Sequence, residues 1–256
     1  MTTNWNPAQY NKFKAQRAKP FYDLLALIQI AQFNAGIDLG CGTGELTRVL
    51  FDRLKPTQFT GIDSSAEMLA KSLQYKTSGL AFERQDIASI QLSRPLDLLF
   101  SNAALHWVPH HEMLFPKLLQ HVAPDGQVAI QMPFNFDHAS HRLAHQVAPR
   151  LFPALFSAEH PVSATLLPDR YAEIMYENGF EDQVCRVEVY GHPMPSGSEV
   201  VEWTRGSLLT KYQEKLTPQQ FEGFLDQYRA ALLQVIGEGP YFYTFKRILL
   251  WGRKRT

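Results

Sequence analysis

The chain has 256 residues, 45% apolar and 20% charged, enough for one domain with a sizeable core. Lys+Arg and Asp+Glu balance at 25 each, so no excess cation is available to neutralise phosphates, and nucleic acid is not expected as a partner. Cys41 and Cys185 are too few for a disulfide framework, and no apolar run approaches the ~20 residues of a membrane span, so no membrane role is expected.

The elements follow in chain order. The start, Met1 to Tyr10, is polar and lacks an apolar signal region, which leads to the expectation of a cytoplasmic protein. Ala8–Arg17 places Tyr10, Phe13, Lys14 and Arg17 on one side and reads as a lid. Pro20–Ile30 gathers Phe21, Leu24, Leu25 and Ile28 and reads as a helix covering a sheet. Strands are expected at Ala35–Leu39, Gln58–Ile62, Leu80–Gln85, Pro95–Ser101 and Gln127–Met132. Between them lie helices at Glu45–Leu54, from an N-cap at Ser65, and at His111–Val122, the last stopped by Pro124-Asp125-Gly126. This alternation predicts an α/β fold with a parallel sheet covered on both faces.

After Met132 the rhythm changes. Pro133 to Pro168 is rich in His, Pro and Phe and contains no clean strand. Helices are expected at Asp169–Asn178, Ser198–Leu209 and Pro218–Ile236, with strands at Val184–Tyr190 and Tyr241–Trp251. The organisation predicted is one domain over residues 1–256. Residues 1–30 form the lid and first helix, and residues 134–178 and 192–240 form helical cap segments.

The chemistry concentrates after the first strand. In Asp38-Leu39-Gly40-Cys41-Gly42-Thr43-Gly44 the glycines permit a sharp turn and close approach of a ligand to the backbone. The helix behind them supplies unpaired N–H groups that suit a carboxylate or a phosphate. Asp63 ends the next strand, about 20 residues on, where a carboxylate can take both hydroxyls of a ribose. The glycine spacing is not the GxGxxG of nicotinamide-dependent oxidoreductases.

These residues resemble motif I of class I methyltransferases that bind S-adenosyl-L-methionine (AdoMet) on a Rossmann-like domain. The resemblance implies that Asp38, Gly40, Gly42 and Gly44 cradle AdoMet and that Asp63 with Ser64 holds its ribose. It further implies that Asp86-Ile87 reads the adenine and that Ser101 to Trp107, with Asn102, lies beside the methyl donor. Nearly the whole chain is similar to the trans-aconitate 2-methyltransferase family. The matching pieces include Trp5-Asn6-Pro7 with Tyr10, Arg17 with Pro20, Gln131-Met132-Pro133, His192-Pro193-Met194, Val201-Glu202-Trp203 and Arg247-Ile248-Leu249. That family implies strand order 3-2-1-4-5-7-6, an N-terminal helical lid, a helical cap, and methylation of a carboxylate on a small tricarboxylic acid. It also implies that Tyr10 and Arg17 close over AdoMet. The chain departs where the family carries a Gly-Leu-Arg-Pro segment, having Gly206-Ser207-Leu208-Leu209-Thr210-Lys211-Tyr212 instead.

Methyl transfer asks little of side chains, because a sulfonium is already an activated donor and positioning with exclusion of water supplies most of the rest. His106 is the candidate base, or with Trp107 a wall of the substrate pocket. Arg205 and Arg247 are the candidate cations for an acid substrate, since a guanidinium fits a carboxylate in a bidentate fork. His138, His141 and His145 would share one helical face, but methyl transfer needs no metal and none is expected. The expected partner is a small-molecule acid. The alternatives are a methyltransferase acting on a hydroxyl, nitrogen or carbon of an apolar metabolite, and a non-enzymatic AdoMet-binding sensor. Nothing in the sequence sets the oligomeric state.

Overall fold

A computed structural model describes residues 14–29, 32–92, 95–157 and 163–255, with side chains described from Ala18 onward. The chain divides into two compact units. The larger holds Lys19–Phe134, Ala164–Glu188 and Arg247–Thr256. The smaller holds Asn135–Ser163 and Val189–Lys246, together with the described residues 14–18.

Seven strands form one sheet: β1 (Ala35–Leu39), β2 (Gln58–Asp63), β3 (Leu80–Arg84), β4 (Leu96–Asn102), β5 (Val122–Pro133), β6 (Asp182–Met194) and β7 (Tyr241–Arg253). Their order is β3-β2-β1-β4-β5-β7-β6, as the family resemblance implies. The five strands from β3 to β5 pair in parallel, and β7 runs antiparallel to β5. Parallel strands need crossovers, and helices supply them. α1 is Lys14–Leu25, α2 Glu45–Leu54, α3 Ala66–Ser72 and α4 His111–Leu119. The later helices are α5 (Ala139–Leu151), α6 (Pro168–Glu177), α7 (Gly197–Arg205), α8 (Thr210–Gln213) and α9 (Pro218–Ile236).

The larger unit is packed on both faces of its strands. One face buries Ile37, Leu39, Leu99, Val128 and Ile130 with Phe115 and Leu118 of α4 and Tyr171 and Ile174 of α6. The other buries Leu98, Phe100, Ala129, Leu249 and Trp251 with Phe21 and Leu24 of α1 and Leu50 of α2. In the smaller unit α5, α7 and α9 share a core of Ala144, Val147, Val200, Trp203, Phe221, Phe224 and Tyr228 with Tyr243 and Phe245. Thr217 caps α9 in a reciprocal capping box with Gln220.

Several boundaries differ from the sequence reading, three of them for a definite physical reason. α1 does not begin at Pro20 but runs through it from Lys14 to Leu25. An interior proline costs ~3 kcal/mol, and full burial of Phe21 and Leu24 returns roughly 1.5–3 kcal/mol each. β5 starts at Val122, before Pro124-Asp125-Gly126, which forms an irregularity within the strand and not a turn before it. Leu96 pairs with Val122 but Leu98 pairs with Gln127, and the backbone of Asp125 and Gly126 is satisfied by Lys254. α7 stops at Arg205, where Gly206 follows and Ser207 and Leu209 both bond back to the Thr204 carbonyl. In the stretch read as a helical cap segment from residue 134, the helix is α5, capped by the His138 side chain.

Candidate active site

The glycine loop leaves β1 and enters α2 with Gly40, Gly42 and Gly44 all at positive φ, between +56° and +78°. That conformation costs a residue with a Cβ roughly 1–2 kcal/mol. The three glycines have different surroundings. A Cβ on Gly40 would lie 2.2 Å from Ala104 Cβ, and one on Gly44 would meet Ser72 and Phe82 within 3 Å. A Cβ on Gly42 would meet nothing within 4 Å. Gly40 and Gly44 let the loop pack against its own scaffold, while Gly42 presents bare backbone.

Asp38, before the loop, is only 4% exposed, and its Oδ2 accepts from Thr47 Oγ1 at 2.6 Å. Burial, with Asp63 nearby, pushes its carboxyl up to about 7 despite that hydrogen bond. Asp63, at the end of β2, accepts the Gly42 N–H through Oδ2 at 2.9 Å and the Ser65 N–H through Oδ1 at 2.8 Å. It therefore holds the loop as well as standing at its mouth. Ser64 is exposed and its carbonyl accepts from Arg84. Asp86 is exposed and caps the single turn Ile87–Ser89 by accepting the Ala88 N–H; Ile87 is buried beside it.

At the end of β4, Ser101 donates to the Leu39 carbonyl at 2.8 Å and so ties this edge to β1. Ala103 follows at φ +55°, a left-handed conformation that a residue with a Cβ rarely adopts. Asn102 Oδ1 is buried with no hydrogen-bond partner among the described residues. His106 is half-buried and its ring is tilted against Trp107, centroids 4.7 Å apart, while Trp107 itself is exposed. Arg247 is buried on β7 opposite Pro133, and its Nη1 donates to Gln131 Oε1 at 3.4 Å. Asp38, the glycines, Asp63, Asp86, Asn102, His106 and Arg247 thus all lie in the larger unit, most of them at the carboxyl ends of its parallel strands. That edge is where open α/β sheets bind ligands.

Arg205 belongs to the smaller unit, where it faces Glu222 at 3.5 Å. Tyr10 lies outside the described residues, and Arg17 is placed on α1 without a described side chain. His138 uses Nδ1 on Ser140 and Nε2 on Tyr241, so neither nitrogen points to a shared centre with His141 and His145. Among the described residues no group of three His, Cys, Asp or Glu could hold a metal, and no helix is long and apolar enough to cross a membrane. Sequence reasoning singled out neither Thr47 nor Gln131 as a site residue. The one signal for Gln131 is a polar residue inside the apolar run Val128 to Met132.

AdoMet carries an adenosine and an amino-acid tail, and the edge offers groups of matching chemistry. Open space at Gly42 leaves room for the donor against the backbone, Asp63 suits a diol, and the partnerless Asn102 Oδ1 suits an ammonium. A family model described as a methyltransferase domain matches residues 10–183. The chain superposes on the YcgJ protein of Bacillus subtilis with a TM-score of 0.63 at 14% identity, covering 93% of this chain and 99% of that one. Fold, edge and family model define an AdoMet-dependent class I methyltransferase. Two curated relatives are both named trans-aconitate 2-methyltransferase. That of Deinococcus radiodurans is 40% identical over 96% of each chain, and that of Methylobacterium nodulans 36% identical over 98% of each. The chain belongs to the trans-aconitate 2-methyltransferase family.

Proposed function

We propose that this protein methylates a carboxylate oxygen of a small tricarboxylic acid, trans-aconitate or a close analogue, with AdoMet as donor. The whole chain is read as one catalytic domain. The observation that carries the substrate reading is identity of 40% across 96% of a relative named for that acid. The buried Arg247 at the carboxyl edge supports it, because a polyacid brings carboxylates that need a cation.

Bound AdoMet supplies a methyl group already activated on a sulfonium. In this reading the protein binds and orients. Gly40, Gly42 and Gly44 shape the loop against which the donor lies, with Gly42 leaving its approach open, and Asn102 Oδ1 accepts from its ammonium. Asp63, with Ser64, takes the ribose, and Asp86 with the Ile87 N–H takes the adenine. Asp38 acts from behind the loop, through Thr47. An ionised carboxylate attacks without losing a proton, so no base is required of His106, which with Trp107 lines the acceptor side. Excluding water from this edge favours the reaction of anion with sulfonium, since charge is lost as they meet. Arg247 holds a carboxylate that does not react. The reading does not require Arg205, whose guanidinium already faces Glu222.

The test is a methyl-transfer screen with labelled AdoMet against di- and tricarboxylic acids, phenols and amines. The expected product is an ester that releases its label in mild base. A base-stable ether or N-methyl product would replace this reading and make His106 the residue to examine.

A further inference from the structure

Two glutamines on β5 lie on one face of the sheet, four residues apart, and differ in one respect. Both polar atoms of the Gln127 amide have partners. Its Oε1 accepts from Gln29 N and Trp251 Nε1, each at 2.9 Å, and its Nε2 donates to the Gln29 carbonyl at 2.9 Å. Gln131 is as deeply buried, 0% exposed, yet its Nε2 has no partner among the described residues. Its Oε1 faces the Arg247 guanidinium. A guanidinium only donates, so Oε1 must be the end beside Arg247, and the amide cannot be turned round to satisfy the nitrogen. A buried donor without an acceptor costs ~1–3 kcal/mol, and natural cores carry few of them.

Asn102 is the direct register partner of Gln131, and it carries the complementary defect, a buried acceptor with no donor. The two side chains stand on neighbouring strands at the same level, but no bond joins Nε2 to Oδ1. A single water-like bridge is not what this pair selects for, because Asn102 already has a use in the proposed cofactor site: its oxygen suits an ammonium. That leaves the Gln131 N–H requiring an acceptor of its own, next to Arg247. An anionic oxygen is the group that both an amide N–H and a guanidinium recognise.

We infer that Gln131 is a substrate-binding residue: its Nε2, oriented by Arg247, donates to a carboxylate of the acid acceptor at the carboxyl end of β5. This rests on the proposed carboxyl methylation and adds the residue that orients the acid. Arg247 has two parts in it, fixing the amide and supplying positive charge. Gln131 contributes no proton transfer; it sets which way the carboxylate faces.

The test is calorimetric titration of trans-aconitate into full-length protein saturated with S-adenosylhomocysteine, with KM for acid and for AdoMet measured in parallel. Gln131→Met keeps bulk and removes the donor. It should weaken acid binding and raise the acid KM by roughly tenfold, the cost of one charge-assisted hydrogen bond, with the AdoMet KM unchanged within about twofold. Gln131→Glu keeps the shape, strengthens the contact to Arg247 and replaces the donor by a like charge. It should fold, bind S-adenosylhomocysteine and lose measurable acid binding, a combination that loss of a merely structural amide does not give. Acid affinity within about twofold of wild type in a folded Gln131→Met or Gln131→Glu protein overturns the inference and leaves carboxyl methylation standing. Wild-type protein that neither binds nor methylates any acid of the screen overturns both.

Discussion

The Thr47 hydroxyl donates to Asp38 Oδ2 across 2.6 Å, joining the end of β1 before the glycine loop to the first turn of α2 after it. Both residues are buried, so the pair acts as a clamp beneath the loop. Burial raises the Asp38 carboxyl from 3.8 to about 7, which makes its protonation a matter of ordinary working pH. A group whose folded pKa is raised contributes stability that is complete below the unfolded value and is lost as pH rises through the folded one. The native state therefore weakens relative to a neutral side chain between pH 3.8 and about 7. Asp38→Asn, which can still accept from Thr47, should gain on wild type by up to about 1.4 kcal/mol per pH unit across that window. Urea unfolding at pH 5 and pH 8 reads the difference; a gap independent of pH would mean Asp38 is ionised throughout.

The three glycines separate scaffold from ligand contact. Gly42→Ala meets no atom within 4 Å, so it should cost only the left-handed backbone, about 1–2 kcal/mol of stability. Its methyl would nonetheless stand in the open space where the cofactor is proposed to approach, so affinity for AdoMet should fall on the order of tenfold or more. Gly40→Ala collides with Ala104 at 2.2 Å and should lose stability first. Melting temperature and AdoMet titration on both variants check the contrast. Equal losses of stability would show that Gly42 is part of the scaffold.

The glycine loop was legible because a forced backbone conformation leaves its mark in residue type, and an acid ending the following strand leaves another. Strand alternation was legible for the same reason: buried parallel strands are continuous apolar runs. Pro124-Asp125-Gly126 was not decidable locally. The same tripeptide makes a turn or a bulge, and the choice depends on whether Lys254, at the far end of the chain, satisfies its backbone. Pro20 looked like a helix start, and only tertiary burial of Phe21 and Leu24 keeps it inside α1. Gln131 and Gln127 look alike in sequence. What separates them is the identity of the neighbour on β7: Trp251 completes one amide, and Arg247 orients the other without completing it.

Histidines give the protein an acid weakness. Burial lowers the pKa of His111, which bonds Tyr171 and the Leu105 carbonyl, and of His138; it pushes His141 down to about 3. Each ring is neutral in the fold and titrates near 6.5 when unfolded. Their stability contribution is complete above pH 6.5 and is lost as pH falls from there towards the folded values. For His141 the loss continues to about pH 3, at up to about 1.4 kcal/mol per pH unit. In the Asp38→Asn protein, where the opposing titration of Asp38 is removed, unfolding midpoints should therefore drop between pH 7 and pH 5. Adding His141→Gln should flatten part of that slope, and a midpoint that holds constant from pH 7 to pH 5 in Asp38→Asn would contradict the burial of these rings in neutral form.

Arg247 and Arg205 make the sharpest comparison among the cations. Arg247 is 8% exposed on β7, and its guanidinium lies against a buried amide; Arg205 ends α7 with its side chain 36% exposed beside Glu222. A solvated pair such as Arg205–Glu222 contributes at most about 1 kcal/mol, and a carboxylate substrate would have to displace Glu222 to use it. A buried guanidinium has lost its water and gains most from an anionic partner. Arg247→Ala should therefore raise the acid KM by on the order of tenfold or more while leaving AdoMet affinity within about twofold. Part of that loss will come through Gln131, whose oxygen loses its donor, so the double variant Arg247→Ala with Gln131→Met should fall short of the sum of the two single effects. Arg205→Ala should change acid KM by less than about threefold. Steady-state kinetics on these four proteins, with acid and AdoMet varied in turn, decides it. A larger acid KM effect at Arg205 than at Arg247 would remove Arg247 from the acid site and the orientation of Gln131 with it.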